Sequence, residues 1–148
     1  MIAIGSDHGG YELKRGVTDY LKSKGIAYKD FGCYNIKSCD YPDIAVETCK
    51  SVVKGECEKA LLFCGTGIGI SIAANKVDGI RAACCSDTFS AKFTRLHNDA
   101  NVLCLGGRVV GLGLAIELVE TFLNTEFEGG RHIKRIEKIT SIESMQNL

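Results

Sequence analysis

The sequence predicts an α/β fold: an open, parallel sheet of five strands with helices on both faces. Short apolar runs alternate with stretches of helical periodicity along the 148 residues. The intervals between those runs are long enough to hold a crossover helix, and such crossovers join parallel strands with right-handed connections. A glycine-rich turn at 65–69 also joins an apolar run directly to a helical pattern.

The elements follow in order. Strands are expected at 1–5, 26–31, 59–64, 80–85 and 101–105, each a short apolar run. Helices are expected at 10–24, 42–54, 68–76, 88–97 and 111–124. The single proline, Pro42, falls near the start of the second helix, where its missing N–H does no harm. An extra C-terminal helix is expected from 131 to about 146, with no strand after it. Its isoleucines, Ile133, Ile136, Ile139 and Ile142, step by three, so the apolar stripe slides around the axis. A helix lying on one monomer carries a straighter stripe, so this helix is expected to pack on a second subunit. No internal repeat or low-complexity segment divides residues 1–148, which are read as a single domain.

Bulk properties exclude several function classes. Lys plus Arg equals Asp plus Glu at 18 each, without the basic footprint of a nucleic-acid partner. Apolar residues make up 45%, which supports a packed core. No stretch approaches the roughly 20 apolar residues that span a bilayer, and the N-terminus carries no signal-peptide pattern. The expectation is a soluble, cytoplasmic protein. Eight cysteines show no C-x-x-C spacing, so neither a zinc site nor a thioredoxin-type motif is expected. Most are read as small buried hydrophobes, with Cys64 as the exception.

Cys64 ends the apolar run Ala60-Leu61-Leu62-Phe63 and opens the turn Gly65-Thr66-Gly67-Ile68-Gly69. Glycines let the backbone turn sharply and leave its N–H groups unshielded. A helix N-terminus behind them adds partial positive charge. This loop is built to hold an anion, and the same field favours ionisation of Cys64. A potential thiolate beside an anion cradle suggests proton abstraction with oxyanion stabilisation. The bland alternative is a tight strand-to-helix turn with a buried thiol.

Ligands of such sheets bind beyond the carboxyl ends of the strands, and two further loops are placed there. In Gly5-Ser6-Asp7-His8-Gly9-Gly10, Asp7 is either a helix N-cap or, with His8, a polar pair beside the cradle. His97-Asn98-Asp99-Ala100-Asn101 is either a polar helix-stop turn or a catalytic segment. Arg131 and Arg135, four apart on one helix face, form either a solvated basic surface or a phosphate clamp that Arg108 joins.

The stretch Cys64-Gly-Thr-Gly-Ile-Gly-Ile-Ser-Ile-Ala-Ala-Asn-Lys76 resembles the signature of type B ribose-5-phosphate isomerases, a family that includes galactose-6-phosphate isomerase subunits. Ser6-Asp7-His8, Asp40-Tyr41-Pro42, Gly79-Ile80-Arg81-Ala82, His97 through Leu103, Gly107 through Gly111 and Glu128-Gly-Gly-Arg-His132 extend the likeness over nearly the whole chain. The resemblance implies a Rossmann-like three-layer α/β/α sandwich, working as a homodimer or a dimer of dimers, with the active site at the subunit interface. It implies a phosphorylated sugar as substrate, and neither metal nor cofactor. By the same resemblance Cys64 is the proton acceptor, and Thr66 relays a proton between sugar oxygens. The amides of Gly65, Gly67, Ile68 and Gly69 hold the intermediate. His97 opens the sugar ring with Asp7 close to the ring oxygen, and Asn98 binds the sugar. Tyr41 lines the pocket. His8, Arg108, Arg131 and Arg135 contact phosphate, some of them from the neighbouring subunit. Part of the family places a glutamate base where this chain has Ile70, so the base here is Cys64.

The reaction this implies interconverts ribose 5-phosphate and ribulose 5-phosphate through a cis-enediolate. Other aldoses or aldose phosphates, such as allose 6-phosphate or galactose 6-phosphate, are alternative substrates. Readings from other classes are a non-enzymatic phosphate-binding module and a redox enzyme using Cys64.

Overall fold

A computed structural model describes residues 1–145. The chain alternates strand and helix: β1 (Ile2–Ser6), α1 (Tyr11–Ser23), β2 (Tyr28–Asp30), α2 (Tyr41–Val53), β3 (Lys59–Cys64), α3 (Ile68–Ala74), β4 (Ala82–Cys84), α4 (Thr88–Asn98), β5 (Val102–Gly106), α5 (Leu112–Asn124) and α6 (Arg131–Met145). The five strands form one parallel sheet in the order β2-β1-β3-β5-β4. The α/β expectation holds, and each expected element is present; the end of the last helix at 146 lies outside the described residues.

The pleat sorts the core onto two faces. Ile2, Ile4, Leu61, Phe63, Leu103 and Leu105 face one way, against Leu13, Val17 and Leu21 of α1 and Leu118, Val119 and Phe122 of α5. Alternate positions Ala3, Ala60, Leu62, Cys64, Val102 and Cys104 face the other way, against Ala45 and Cys49 of α2 and Ile70 and Ala74 of α3. The central strands β1, β3 and β5 are therefore apolar on both sides, as strands of a covered parallel sheet are. Each fully buried Leu or Phe among them contributes about 1.5–3 kcal/mol.

Three elements are shorter than the sequence suggests. The edge strands β2 and β4 span 28–30 and 82–84, where 26–31 and 80–85 were expected. Beyond Ala74, the Asn75 side chain bonds both the N–H and the carbonyl of Ala82 at 2.9 Å. It stands in for a strand partner and stops α3 before 76. The helix α6 buries only His132; Ile133, Ile139 and Ile142 are 48%, 43% and 50% exposed.

Candidate active site

The carboxyl ends of β1, β3 and β5 lie side by side. After β1 the chain steps to β2 on one side, and after β3 it crosses to the other side of the sheet, so the crevice between their exits is a topological switch point. Three loops leave it and are tied backbone to backbone. The Asp7 N–H donates to the Phe63 carbonyl at 3.1 Å, Gly107 N–H to Cys64 at 2.8 Å, and Arg108 N–H to Gly65 at 3.0 Å.

Cys64 is the last residue of β3 and is 4% exposed. The Gly67 N–H points at its sulfur at 3.1 Å. Gly67 itself has φ of 79°, and a Cβ there would come within 2.9 Å of the Gly106 nitrogen. Only glycine fits both that conformation and that approach. The Thr66 hydroxyl oxygen accepts the Ile68 N–H at 3.2 Å, so two of the expected cradle amides are internally occupied. The N–H groups of Gly69 and Ile70, in the first turn of α3, have no intrahelical acceptor. Ile70 is fully buried in the same apolar cluster as Cys64, so no carboxylate competes with the thiol there.

Around this loop, Asp7 is buried and its Oδ1 accepts the Gly10 N–H at 3.0 Å. It does not cap α1, whose N-cap is Gly10. His8 accepts the Cys39 N–H on Nδ1 at 3.4 Å, which leaves Nε2 as the donor nitrogen. The Tyr41 ring packs on Gly69, where a Cβ would lie 2.9 Å from Tyr41 Cζ. The Arg108 guanidinium reaches back over Gly65, with Nη1 3.2 Å from a Cβ built there. Asp7, His8, Tyr41, Cys64 to Gly69 and Arg108 therefore form one cluster.

The segment 97–101 corrects the sequence reading. It was expected at the carboxyl ends of the strands, yet it joins the end of α4 to the start of β5. A helix between parallel strands runs antiparallel to them, so this loop lies at the opposite, amino-terminal edge of the sheet. Part of it is a structural turn. Asp99 is the left-handed C-cap of α4 with φ of 43°, bonded by Arg95 at 2.7 Å. The Asn101 side chain joins Gly79 and Arg81. His97 and Asn98 face a 370 Å³ cavity shared with Cys84, Phe89 and Phe93. A slightly larger cavity of 390 Å³, lined by Arg81, Ile139 and Ile142, does not include Cys64 either.

Arg131 and Arg135 also belong to this second cluster, because the chain returns to α4 just before α6: the Glu128 N–H donates to Leu96 at 3.1 Å. His132 stacks on His97 with ring centroids 4.2 Å apart, and Phe93 meets His97 edge-on at 4.8 Å. Glu128 lies 3.7 Å from His97 Nε2 and 3.9 Å from His132 Nε2. Burial lowers the His132 pKa, His97 and Arg131 lower it further, and Glu128 opposes them. These three side chains bring their ligand atoms within 4.8 Å of one another. An imidazole binds a metal in its ring plane, and rings lying 15° from parallel do not aim their lone pairs at one ion. Sequence reasoning assigns His132 and Glu128 no role; Glu128 precedes α6, and the Gly129-Gly130 turn, with positive φ at both glycines, joins it to the helix that carries His132.

A parallel α/β domain with a cysteine and an amide-lined glycine loop at its switch point belongs to a class suited to chemistry on a small anionic substrate. The chain belongs to the Ribose/Galactose Isomerase family, which it matches over residues 2–139. It is 47% identical to the ribose-5-phosphate isomerase B of Escherichia coli, over 99% of this chain and 98% of that one. It is 44% identical to the D-erythrulose-4-phosphate isomerase of Pectobacterium atrosepticum, over 98% and 96%. The structure of the Clostridium thermocellum ribose-5-phosphate isomerase B superposes with a TM-score of 0.97 at 54% identity, covering 98% of each chain.

Proposed function

We propose that this protein interconverts ribose 5-phosphate and ribulose 5-phosphate, with Cys64 as the base. The observation that carries the reading is the Cys64 sulfur at the end of β3, bonded by the Gly67 amide and flanked by Asp7, His8, Tyr41 and Arg108. In the open-chain aldehyde, the thiolate of Cys64 removes the proton on C2 and returns it to C1. The cis-enediolate formed in between carries its charge beside the Gly69 and Ile70 amides; losing one such preorganised donor costs about 3–4 kcal/mol. Thr66 relays the proton between O1 and O2. The side-chain Nε2 of His8 and the Arg108 guanidinium suit a phosphate.

His97, Asn98, Arg131 and Arg135 complete the site from a second copy of the chain, because the fold holds them at the far edge of the sheet. His97 opens the furanose ring by acid–base transfer, worth about 10²–10⁴-fold. The exposed apolar stripe of α6, with Ile68 and Ile72 beside the cradle and Phe89 on α4, supports a homodimer or a dimer of dimers with the site between subunits. Among the described residues no helix is long and apolar enough to cross a membrane; we infer a cytoplasmic enzyme with no nucleic-acid partner.

The test incubates the protein with ribose 5-phosphate in EDTA and follows ribulose 5-phosphate, with Cys64→Ala alongside. Turnover in the parent and its loss in the variant support the reading. The relative named for a four-carbon substrate favours one competing substrate, so erythrulose 4-phosphate is assayed in parallel. Preference for it moves the assignment to the shorter sugar, and no turnover of either removes the isomerase reading.

A further inference from the structure

Glu128 and His132 take no part in the isomerisation described above, yet the fold builds both against His97. Arg95 is buried and bonds the Thr125 carbonyl at 3.1 Å, and the Glu128 N–H donates to the Leu96 carbonyl at 3.1 Å. The segment after α5 is thereby fastened to the last turn of α4, beside His97. Gly129 and Gly130, with φ of 70° and 56°, then turn the chain so that α6 starts at once and brings His132 back to the same place. His132 is 4% exposed, and its Nε2 is buried without a hydrogen-bond partner. A buried polar atom left unpaired costs stability, so folding alone does not account for this ring. We propose that Glu128 and His132 are positioning residues for His97, the stacked ring fixing the plane of its imidazole and the carboxylate fixing which way round it lies. This rests on the isomerase reading, in which His97 opens the sugar ring.

The two contacts divide the task. The torsion that turns a histidine ring has broad, two-fold wells, and His97 is partly exposed. His132 lies 15° from parallel to it with centroids 4.2 Å apart, and Phe93 meets it edge-on at 4.8 Å. These rings hold the plane. They do not distinguish the imidazole from its half-turn, which exchanges each nitrogen for a carbon. Glu128 Oε2 does, because it lies 3.7 Å from Nε2. That is an ion-pair distance, longer than a hydrogen bond, so the carboxylate acts through its charge. It favours the orientation that turns an N–H, or the charge His97 acquires on taking a proton, toward Glu128.

His132 suits the other half of the arrangement. The same Glu128 oxygen lies 3.9 Å from its Nε2, but burial lowers the His132 pKa. The stacked ring therefore stays neutral while His97 carries the proton, whereas two stacked imidazolium rings repel each other. A base held in orientation by a further group is the general form of such sites. Proton transfer to a sugar oxygen depends on that orientation.

The test is a double-mutant cycle on the whole chain with ribose 5-phosphate. Glu128→Gln and His132→Leu are each expected to lower turnover about 10-fold, and to cost nothing further in His97→Asn. His132→Phe, which keeps a flat ring, retains more turnover than His132→Leu. Ribose 5-phosphate deuterated at C2 supplies a readout that a merely structural role does not move. Slow ring opening masks the later proton abstraction, so the isotope effect on turnover falls toward unity in Glu128→Gln and His132→Leu. In an active parent, unchanged turnover in both variants overturns the proposal alone. So do losses that add in full to that of His97→Asn, or slowed variants whose isotope effect stays clearly above unity. A parent that turns over no ribose 5-phosphate removes the isomerase reading, and this proposal with it.

Discussion

If the site is shared between chains, two inactive variants restore each other. The perturbations are Cys64→Ala and His97→Asn, each expected to lose about 10²–10⁴-fold in turnover. The geometry sets the outcome. Cys64 pairs with Gly106 at one end of β5, while His97 precedes Val102 at the other end. Four residue steps at ~3.3 Å put roughly 13 Å between those levels, before the loop holding His97 is counted. Acid–base partners must act on one sugar across hydrogen-bond distances of about 3 Å, so a single chain cannot present both. In a mixed dimer one site receives both substitutions, and the other receives neither. Equal mixing makes half the dimers mixed, each with one working site, so activity recovers to about one quarter of the parent. The assay unfolds and refolds the two variants together and follows ribulose 5-phosphate. Each variant refolded alone is the baseline. Mixed dimers, verified by two affinity tags, that show no recovery would refute the shared site and place both residues in one chain's site.

Three further outcomes are expected. Gly67→Ala forces a side chain onto φ of 79° and to within 2.9 Å of the Gly106 nitrogen, destabilising the fold by about 1–3 kcal/mol; a parent-like urea midpoint counts against that strain. Ile139→Asp with Ile142→Asp places charge on exposed apolar positions of α6, so the parent should sediment as an oligomer and the variant as a monomer with its helical signal intact. A parent that is monomeric at micromolar concentration removes the interface. For His132, burial holds the folded pKa below the ordinary 6.5, so the unfolded chain takes up the proton first as acid is added. The stability this contributes is present above that value and is lost as pH falls from about 6.5 toward the lower folded value. His132→Phe should flatten that part of the urea-midpoint profile relative to the parent, and parallel profiles argue against it.

The sheet was legible because its strands are buried on both faces. Leu61 and Leu62, or Leu103 and Cys104, are adjacent in sequence and bury against opposite helix layers, so the run reads as unbroken apolar sequence. The edge strands β2 and β4 read less well. Tyr28, Lys29 and Asp30 pair with β1 alone, and their length depends on that partner rather than on an apolar run of their own. The early end of α3 is likewise decided elsewhere, by Ala82, which Asn75 reaches across the chain.

The active site divides along the same line. Cys64 ends a strand and Asp7, His8 and Arg108 follow strands, and a residue at or just past the end of a strand in a parallel sheet lands at the carboxyl edge whatever the helices do. His97 and Asn98 precede a strand, which sends them to the other edge by the same rule. The motif likeness joins these residues into one site; the chain direction separates them. The second subunit proposed above would satisfy both, with the exposed apolar stripe of α6 available to hold it. The loop after β2 has no such rule behind it: the Asn35 side chain turns it by accepting the Lys37 N–H, and the buried Lys14 holds the Cys33 carbonyl from beneath. Sequence order places what a strand or helix carries; a contact made within an irregular loop depends on what lies beneath it.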